Sequence, residues 1–385
     1  IEEGNVDMTD TSQPERTKLF HLLKAAWPLP VDEFFPLTYP FSPTDHVFTD
    51  ARVVVREDEP SSIIAFTLDS QNYREQLANS RQSRSDAPLT ELRHADGSHY
   101  LYEFDTETIK LWCKIFFAEQ FDALRHMCGC AEQFVQSLSR CFKWDSRGGK
   151  SGSAFLKTRD DRFVVKQLSR TELDGFSKFA PQYFTYLAEC QSALRPTALT
   201  KIFGYFRIGF KNTHTGRSFK MDFMVMENLL YGRSVDRIFD LKGSTRHRFV
   251  QESGQPHEVL QDENLMQRAQ SSPLLVREHS KRILRTALHN DSLFLTEMNV
   301  MDYSLIMALD TSRNKMVIGI IDYLRTYTWD KRVESFVKET AILGGGGKGE
   351  PTIITPRQYR MRFLTFLDRN ILMTPDPWIQ SGWVQ

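Results

Sequence analysis

The chain has no net charge, few cysteines and no long hydrophobic run. Lysine plus arginine number 49 and aspartate plus glutamate number 49, which leaves no global field to attract nucleic acid. Attraction to an anionic surface would have to come from local patches. No apolar run approaches the ~20 residues of a membrane-spanning helix. The five cysteines (Cys113, Cys128, Cys130, Cys141, Cys190) are too few and scattered for a disulfide framework and fit a reducing compartment. His126-Met-Cys128-Gly-Cys130 has no second ligand pair at zinc spacing, so a helix bend at Gly129 is expected there. The first residue is Ile1, in an acidic, polar segment with no initiator methionine and no signal peptide, so the chain is expected to be part of something longer.

What is present reads as a globular protein, with 41% hydrophobic and 25% charged residues. Residues 1–50 are expected to be a flexible segment, broken by Pro28, Pro30, Pro36, Pro40 and Pro43. Arg52–Val55 and Ser61–Leu68 are expected strands, with a helix around Asn72–Asn79. The polar stretch 79–98 is expected to be a mobile loop. Ile109–Phe117 alternates apolar residues with Lys110 and Lys114, a strand signal, whereas Glu119–Cys141 has helical spacing. Leu199–Phe210 and Ser218–Glu227 read as a hairpin. The pattern predicts a strand-rich part over 51–227 and a largely helical part over 228–385, with helices at Glu263–Ala269, Leu275–Met298, Asp330–Thr340 and Pro356–Leu372.

The centre of that second part is NVMDYSLIMALDTSRNKMVIGIIDYLRT, residues 299–326. Two apolar strands joined by the turn Asp310–Lys315 place Asp302 at the start of one and Asp322 past the end of the other. An antiparallel pair makes these carboxylates neighbours, which is costly unless a cation shares them.

Other residues fit a nucleotide. Gly148, Gly149 and Gly152 let backbone N–H groups close over phosphate oxygens. A P-loop is excluded, because Trp144 stands where its first glycine belongs and the following element reads as a strand. A glycine-rich hairpin lid remains. Lys166 lies in an apolar strand and would need an anionic partner if it faces inward; Glu172 can hold it, with Asp174 as the rival. At Met226, Glu227, Asn228 and Leu229 the chain leaves a strand, and free backbone groups there suit an adenine edge. Lys242 is a second candidate for a phosphate. This order of parts is that of phosphoryl transfer, with Asp322 on Mg²⁺ and Asp302 orienting the attacking hydroxyl. A protein kinase and an inactive kinase-like scaffold are the alternatives. His289-Asn-Asp291 reads as a solvated helix face.

GGKSGSAF, DRFVVKQL, VMENL, DLKGS, MDYSL and GIIDY together resemble the phosphatidylinositol phosphate kinases. REDEPSSIIAF, FAPQYF and ILGGGGKGEPTIITP resemble the branch that phosphorylates phosphatidylinositol 3-phosphate at the 5-position, the PIKfyve type. The resemblance covers about Arg52 onward. It implies an α+β, two-lobed kinase-like fold, with an antiparallel-sheet N-terminal lobe and a largely helical C-terminal lobe. It implies ATP at Lys166, Lys242 beside the transferred phosphate, and catalysis and metal at Asp302 and Asp322. Lys348, in the activation or specificity loop 342–356, would meet the lipid headgroup, as would Arg246. The implied setting is the cytosolic face of endosomal membranes, with a scaffold protein and a lipid phosphatase as partners. No His-Arg-Asp triplet precedes Asp302, and Met307 stands where the kinase pattern places a metal-binding asparagine.

Overall fold

The computed structural model describes residues 41–49, 51–84, 88–93, 97–144, 154–255, 258–324 and 355–375. The chain divides into Ile1–Ser42 and Pro43–Gln385, and the regular elements among the described residues belong to the second unit. In chain order they are β1 (Asp45–His46), β2 (Val55–Arg56), α1 (Ser61–Asp69), α2 (Gln71–Arg84), α3 (Pro88–Leu92), β3 (Tyr100–Asp105), β4 (Ile109–Ile115), α4 (Ala118–Met127) and α5 (Ala131–Leu138). Then come β5 (Cys141–Trp144), β6 (Phe155–Thr158), β7 (Phe163–Gln167), α6 (Arg170–Ser192), β8 (Ile202–Asn212), β9 (Ser218–Glu227), β10 (Arg237–Leu241) and β11 (Val259–Leu260). The last are α7 (Asp262–Ser271), β12 (Leu274–Arg277), α8 (Glu278–Glu297), β13 (Ser304–Asp310), β14 (Lys315–Ile321), α9 (Pro356–Asn370) and β15 (Ile371–Thr374). The fold is mixed, with helices beside largely antiparallel sheets.

The larger sheet has seven strands in the order β3-β4-β8-β9-β7-β6-β5, every neighbouring pair antiparallel. The alternation of β4 puts Ile109, Leu111, Cys113 and Ile115 inside and leaves Lys110 exposed. Helices cover the apolar face through aromatic contacts such as Phe176 with Tyr205 (5.4 Å between ring centres), and pack on one another through Phe121 and Phe184 (4.9 Å). Each such buried ring contributes about 1.5–3 kcal/mol. A four-stranded sheet has the order β11-β10-β13-β14. Its β13–β14 ladder runs from Ser304 opposite Ile321 to Asp310 opposite Lys315.

Backbone joins the two sheets. Residues 198–200, which lead into β8, line the outer edge of β14: Ile320 N–H donates to Ala198 O (2.6 Å) and Thr200 N–H to Ile320 O (3.0 Å). The smaller sheet is thereby fixed to the start of a strand in the larger one.

Several expectations need correction. Ser61–Leu68 is helical within α1, not a strand. A fully buried apolar run shows no period that separates helix from strand, and Thr67 Oγ1 donates back to Ile63 O (2.8 Å) as it would in a helix. The stretch 79–98, expected as loop, carries the end of α2 and all of α3. Leu274–Arg277 is a strand paired in parallel with β15, so the long helix begins at Glu278. Gly129, at φ +69°, makes the expected bend between α4 and α5. Residues 1–40, the glycine-rich loop with Gly149 and Gly152, the predicted helix Asp330–Thr340, and the loop with Lys348 lie outside the described residues.

Candidate active site

The Lys166 ammonium occupies the junction of the two sheets. β7 carries it inward, with 3% of its surface exposed. It donates to Asp322 Oδ1 at 2.8 Å and pairs with Glu172 Oε1 at 3.1 Å. Burial alone would lower its pKa, but the charges of Asp322 and Glu172 outweigh that and hold it above the ordinary value. Glu172 shows the converse. Burial pushes its carboxyl up, and Lys166 with the Ser169 hydrogen bonds brings it below its ordinary value.

Glu172 is aimed by local sequence. Ser169 caps α6 by accepting from Glu172 N–H (3.3 Å), and Glu172 Oε2 accepts from Ser169 N–H (3.0 Å) and Oγ (2.9 Å). This capping box fixes the rotamer, leaving Oε1 for Lys166. Asp174, the rival partner, is exposed.

Asp322 follows β14 directly and Asp302 lies two residues before β13, so the hairpin register sets them at the same end of the ladder. Both have left-handed backbone, φ +65° at Asp302 and +58° at Asp322, which aspartate tolerates better than most residues. The Asp322 side chain is 47% exposed. No described residue donates to the Asp302 carboxylate. Lys242 Nζ also reaches Asp302, donating to its backbone oxygen at 2.7 Å.

At the crossover, Glu227 N–H donates to Lys201 O (3.0 Å) and Asn228 N–H to Arg162 O (3.0 Å). Those two donors are spent, while the Leu229 N–H has no partner among the described residues. Leu229 lies against β14, where a Cβ at Gly319 would stand 2.5 Å from Leu229 Cδ1. Met226 is still in the sheet, opposite Val164.

A family model described as phosphatidylinositol-4-phosphate 5-kinase matches residues 137–316 and 309–370. The chain belongs to that family. Its relatives include the 1-phosphatidylinositol 3-phosphate 5-kinase of Saccharomyces cerevisiae, 40% identical over 463 residues, covering 97% of this chain and 20% of that protein. The human protein of that name is 44% identical over 306 residues, 78% of this chain and 14% of the relative. One from Arabidopsis thaliana is 39% identical over 380 residues, 87% of this chain and 22% of the relative. The chain thus spans about a fifth or less of the length of the first two. Membership in this family of lipid kinases implies ATP use.

The DLKGS stretch is held by a residue outside it that was not singled out from sequence. Asp262, fully buried at the start of α7, accepts from the backbone N–H groups of Lys242 (3.0 Å), Gly243 (2.7 Å) and Ser244 (3.3 Å), and from Arg248 Nε (2.8 Å). Gly243 has φ +73°, and a Cβ there would stand 2.7 Å from Phe363 Cα, so α9 packs on this loop only because the side chain is hydrogen. Arg246 is exposed, with no ion pair among the described residues.

Asp291 corrects a second expectation. It is fully buried, not solvated, and accepts from Tyr186 Oη (2.6 Å), Thr197 Oγ1 (2.8 Å) and Ala198 N–H (2.6 Å). It thereby clamps the segment that pairs with Ile320, two residues before Asp322. Tyr323 adds a hydrogen bond from its hydroxyl to Thr200 O. No periodic signal marks either residue, because the partners are more than 90 residues away along the chain.

Proposed function

We propose that this chain is the catalytic part of a lipid kinase that transfers the γ-phosphate of ATP to the 5-hydroxyl of phosphatidylinositol 3-phosphate, giving phosphatidylinositol 3,5-bisphosphate. The family description names the 4-phosphate, whereas the relatives that match along most of the chain are named for the 3-phosphate, and we follow the relatives. The observation that carries the proposal is the Lys166–Asp322–Glu172 cluster. It brings the strand lysine expected to meet nucleotide phosphates to the end of the hairpin that bears both acidic residues.

In this reading the seven-stranded sheet and the part after Glu227 are the two lobes of a kinase-like fold, split at residues 226–229. The Leu229 N–H and the Glu227 carbonyl meet the adenine edge, under the loop carrying Gly149 and Gly152. Lys166 binds the nucleotide phosphates, with Glu172 keeping it charged and aimed. Asp302 accepts the proton of the attacking hydroxyl as the new P–O bond forms and the bond to the ADP oxygen breaks. Lys242, tied to the Asp302 carbonyl, offsets the charge gathering on the transferred phosphoryl. Lys348 and Arg246 are the contacts to the lipid headgroup.

The acidic pair also suits Mg²⁺. Two carboxylates at one ladder end, one half-exposed and the other without a described donor, are hard oxygen ligands that leave positions for phosphates and water. When bound there, Mg²⁺ would supply charge neutralisation for the nucleotide phosphates. Asp322 would hold it, with Asp302 beside it. No helix among the described residues is long and apolar enough to cross a membrane. Peripheral contact at the cytosolic face of endosomes, with a scaffold protein and a lipid phosphatase as partners, belongs to the same proposal.

Mg-ATP is tested with vesicles holding phosphatidylinositol or one of its 3-, 4- or 5-monophosphates, beside a peptide panel, with the product isomer identified. The 3,5-bisphosphate is the expected product. Turnover of peptides alone would replace this reading with a protein kinase, and no turnover anywhere would favour a scaffold.

A further inference from the structure

Arg362, on α9, is a cation the proposed reaction has not used. Its guanidinium lies over the Tyr359 ring at 5.0 Å. Tyr359 is fully buried, and its hydroxyl donates to the backbone oxygen of Tyr303, the residue after Asp302. Burial pushes the Tyr359 phenol up; Tyr303 and the Asp302 charge push the same way, and the Arg362 charge opposes them. The backbone of 362–363 is also in contact with Gly243, next to Lys242. Through Tyr359, Arg362 is thus joined to the segment 302–303 that Lys242 also holds.

It has no acceptor there among the described residues. Arg362 Nε is buried without a partner, and the side chain makes no ion pair with any described residue. α7 packs against α9 and carries Arg268, whose Nε is likewise buried and unpartnered. A buried guanidinium N–H without an acceptor is destabilising and uncommon. The planar fork of Arg362, stacked on the tyrosine that hydrogen-bonds the residue after Asp302, suits an oxyanion on the acceptor. The nucleotide has its own lysine, on β7.

We propose that Arg362 binds the phosphomonoester already on the inositol ring of the acceptor, and so selects a phosphorylated lipid over unmodified phosphatidylinositol. This rests on the proposed function, but the site is testable without turnover. The full chain is floated on phosphatidylcholine vesicles carrying phosphatidylinositol 3-phosphate or phosphatidylinositol, as wild type, Arg362→Met and Arg362→Lys. Methionine keeps an unbranched stem over the Tyr359 ring, so the melting temperature should stay near wild type.

Wild type should prefer the phosphorylated vesicles. Arg362→Met should lose about 10- to 100-fold of that preference, the span expected for one charge-assisted fork, and lysine should restore part. With turnover, the same loss should appear in KM for the lipid and not in KM for ATP. Equal preference by wild type and Arg362→Met overturns the assignment, as does a rise confined to KM for ATP. Displacement of wild type by inorganic phosphate as readily as by soluble inositol 1,3-bisphosphate would overturn the headgroup and leave a general phosphate site. Preferential binding without turnover would uphold the site and sink the kinase reading.

Discussion

A single methyl group at Gly319 tests the seam between the sheets. In Gly319→Ala the new carbon would stand 2.5 Å from Leu229 Cδ1, 2.7 Å from Leu229 Cδ2 and 2.9 Å from Thr200 Oγ1. Carbon atoms rest about 3.5–4.0 Å apart, so Leu229 must retreat by roughly 1 Å. The atoms that must yield are side-chain ends, so the backbone can survive. Overpacking costs about 1–3 kcal/mol, offset by about 0.5–1 kcal/mol because alanine loses less freedom than glycine in a strand. The net loss should lower the melting temperature by only a few degrees. The effect on nucleotide should be larger in proportion, because the retreating Leu229 borders the place proposed for adenine. KM for ATP should rise about tenfold, equivalent to ~1.4 kcal/mol of lost binding. Leu229→Ala in the same chain removes the obstacle. A double-mutant cycle read by thermal melting and by ATP titration should then give a coupling of about 1 kcal/mol or more. If Gly319→Ala costs the same with and without the Leu229 side chain, the close approach is not what the glycine serves.

Three further outcomes rest on the buried carboxylates and their partners. Asp291→Ala strands a hydroxyl, a second hydroxyl and a backbone N–H, and should cost about 3 kcal/mol or more in urea unfolding; an unchanged midpoint would refute the clamp. Burial holds the Asp291 carboxyl above its ordinary 3.8, so the native state binds that proton more tightly than the unfolded chain does. The stability gap between wild type and Asp291→Asn should therefore shrink as pH climbs through the window above 3.8. Lys166→Met should abolish ATP turnover. Glu172, held below 4.5 in the wild type, contributes stability above 4.5 that fades as pH falls below it. In Lys166→Met that fade should be shallower, and an identical acid limb in thermal melts would show the pair to be uncoupled.

The hairpin was legible because strand period and turn length together fix which residues meet, and Asp302 and Asp322 need only that. Ser169 and Glu172 also carry a local signal, a serine followed three residues later by glutamate at the start of a helix, and its geometry leads straight to Lys166. Ser61–Leu68 reads as a strand in sequence because burial on all sides erases the period on which the distinction depends. Asp262 and Asp291 were illegible for a different reason. Their worth lies in backbone N–H groups and hydroxyls brought from other elements, and a carboxylate that will be buried looks in sequence like one that will be solvated. Arg362 was hidden likewise, since an unpaired guanidinium declares itself only once its neighbours are known.

The two left-handed aspartates have a consequence for anyone who breeds this protein for heat tolerance. Each holds a backbone shape that costs a non-glycine residue about 1–3 kcal/mol, and glycine at either position would relieve it. A screen that rewards only survival of the fold should therefore enrich glycine at 302 and 322, and harvest hardier proteins that no longer work.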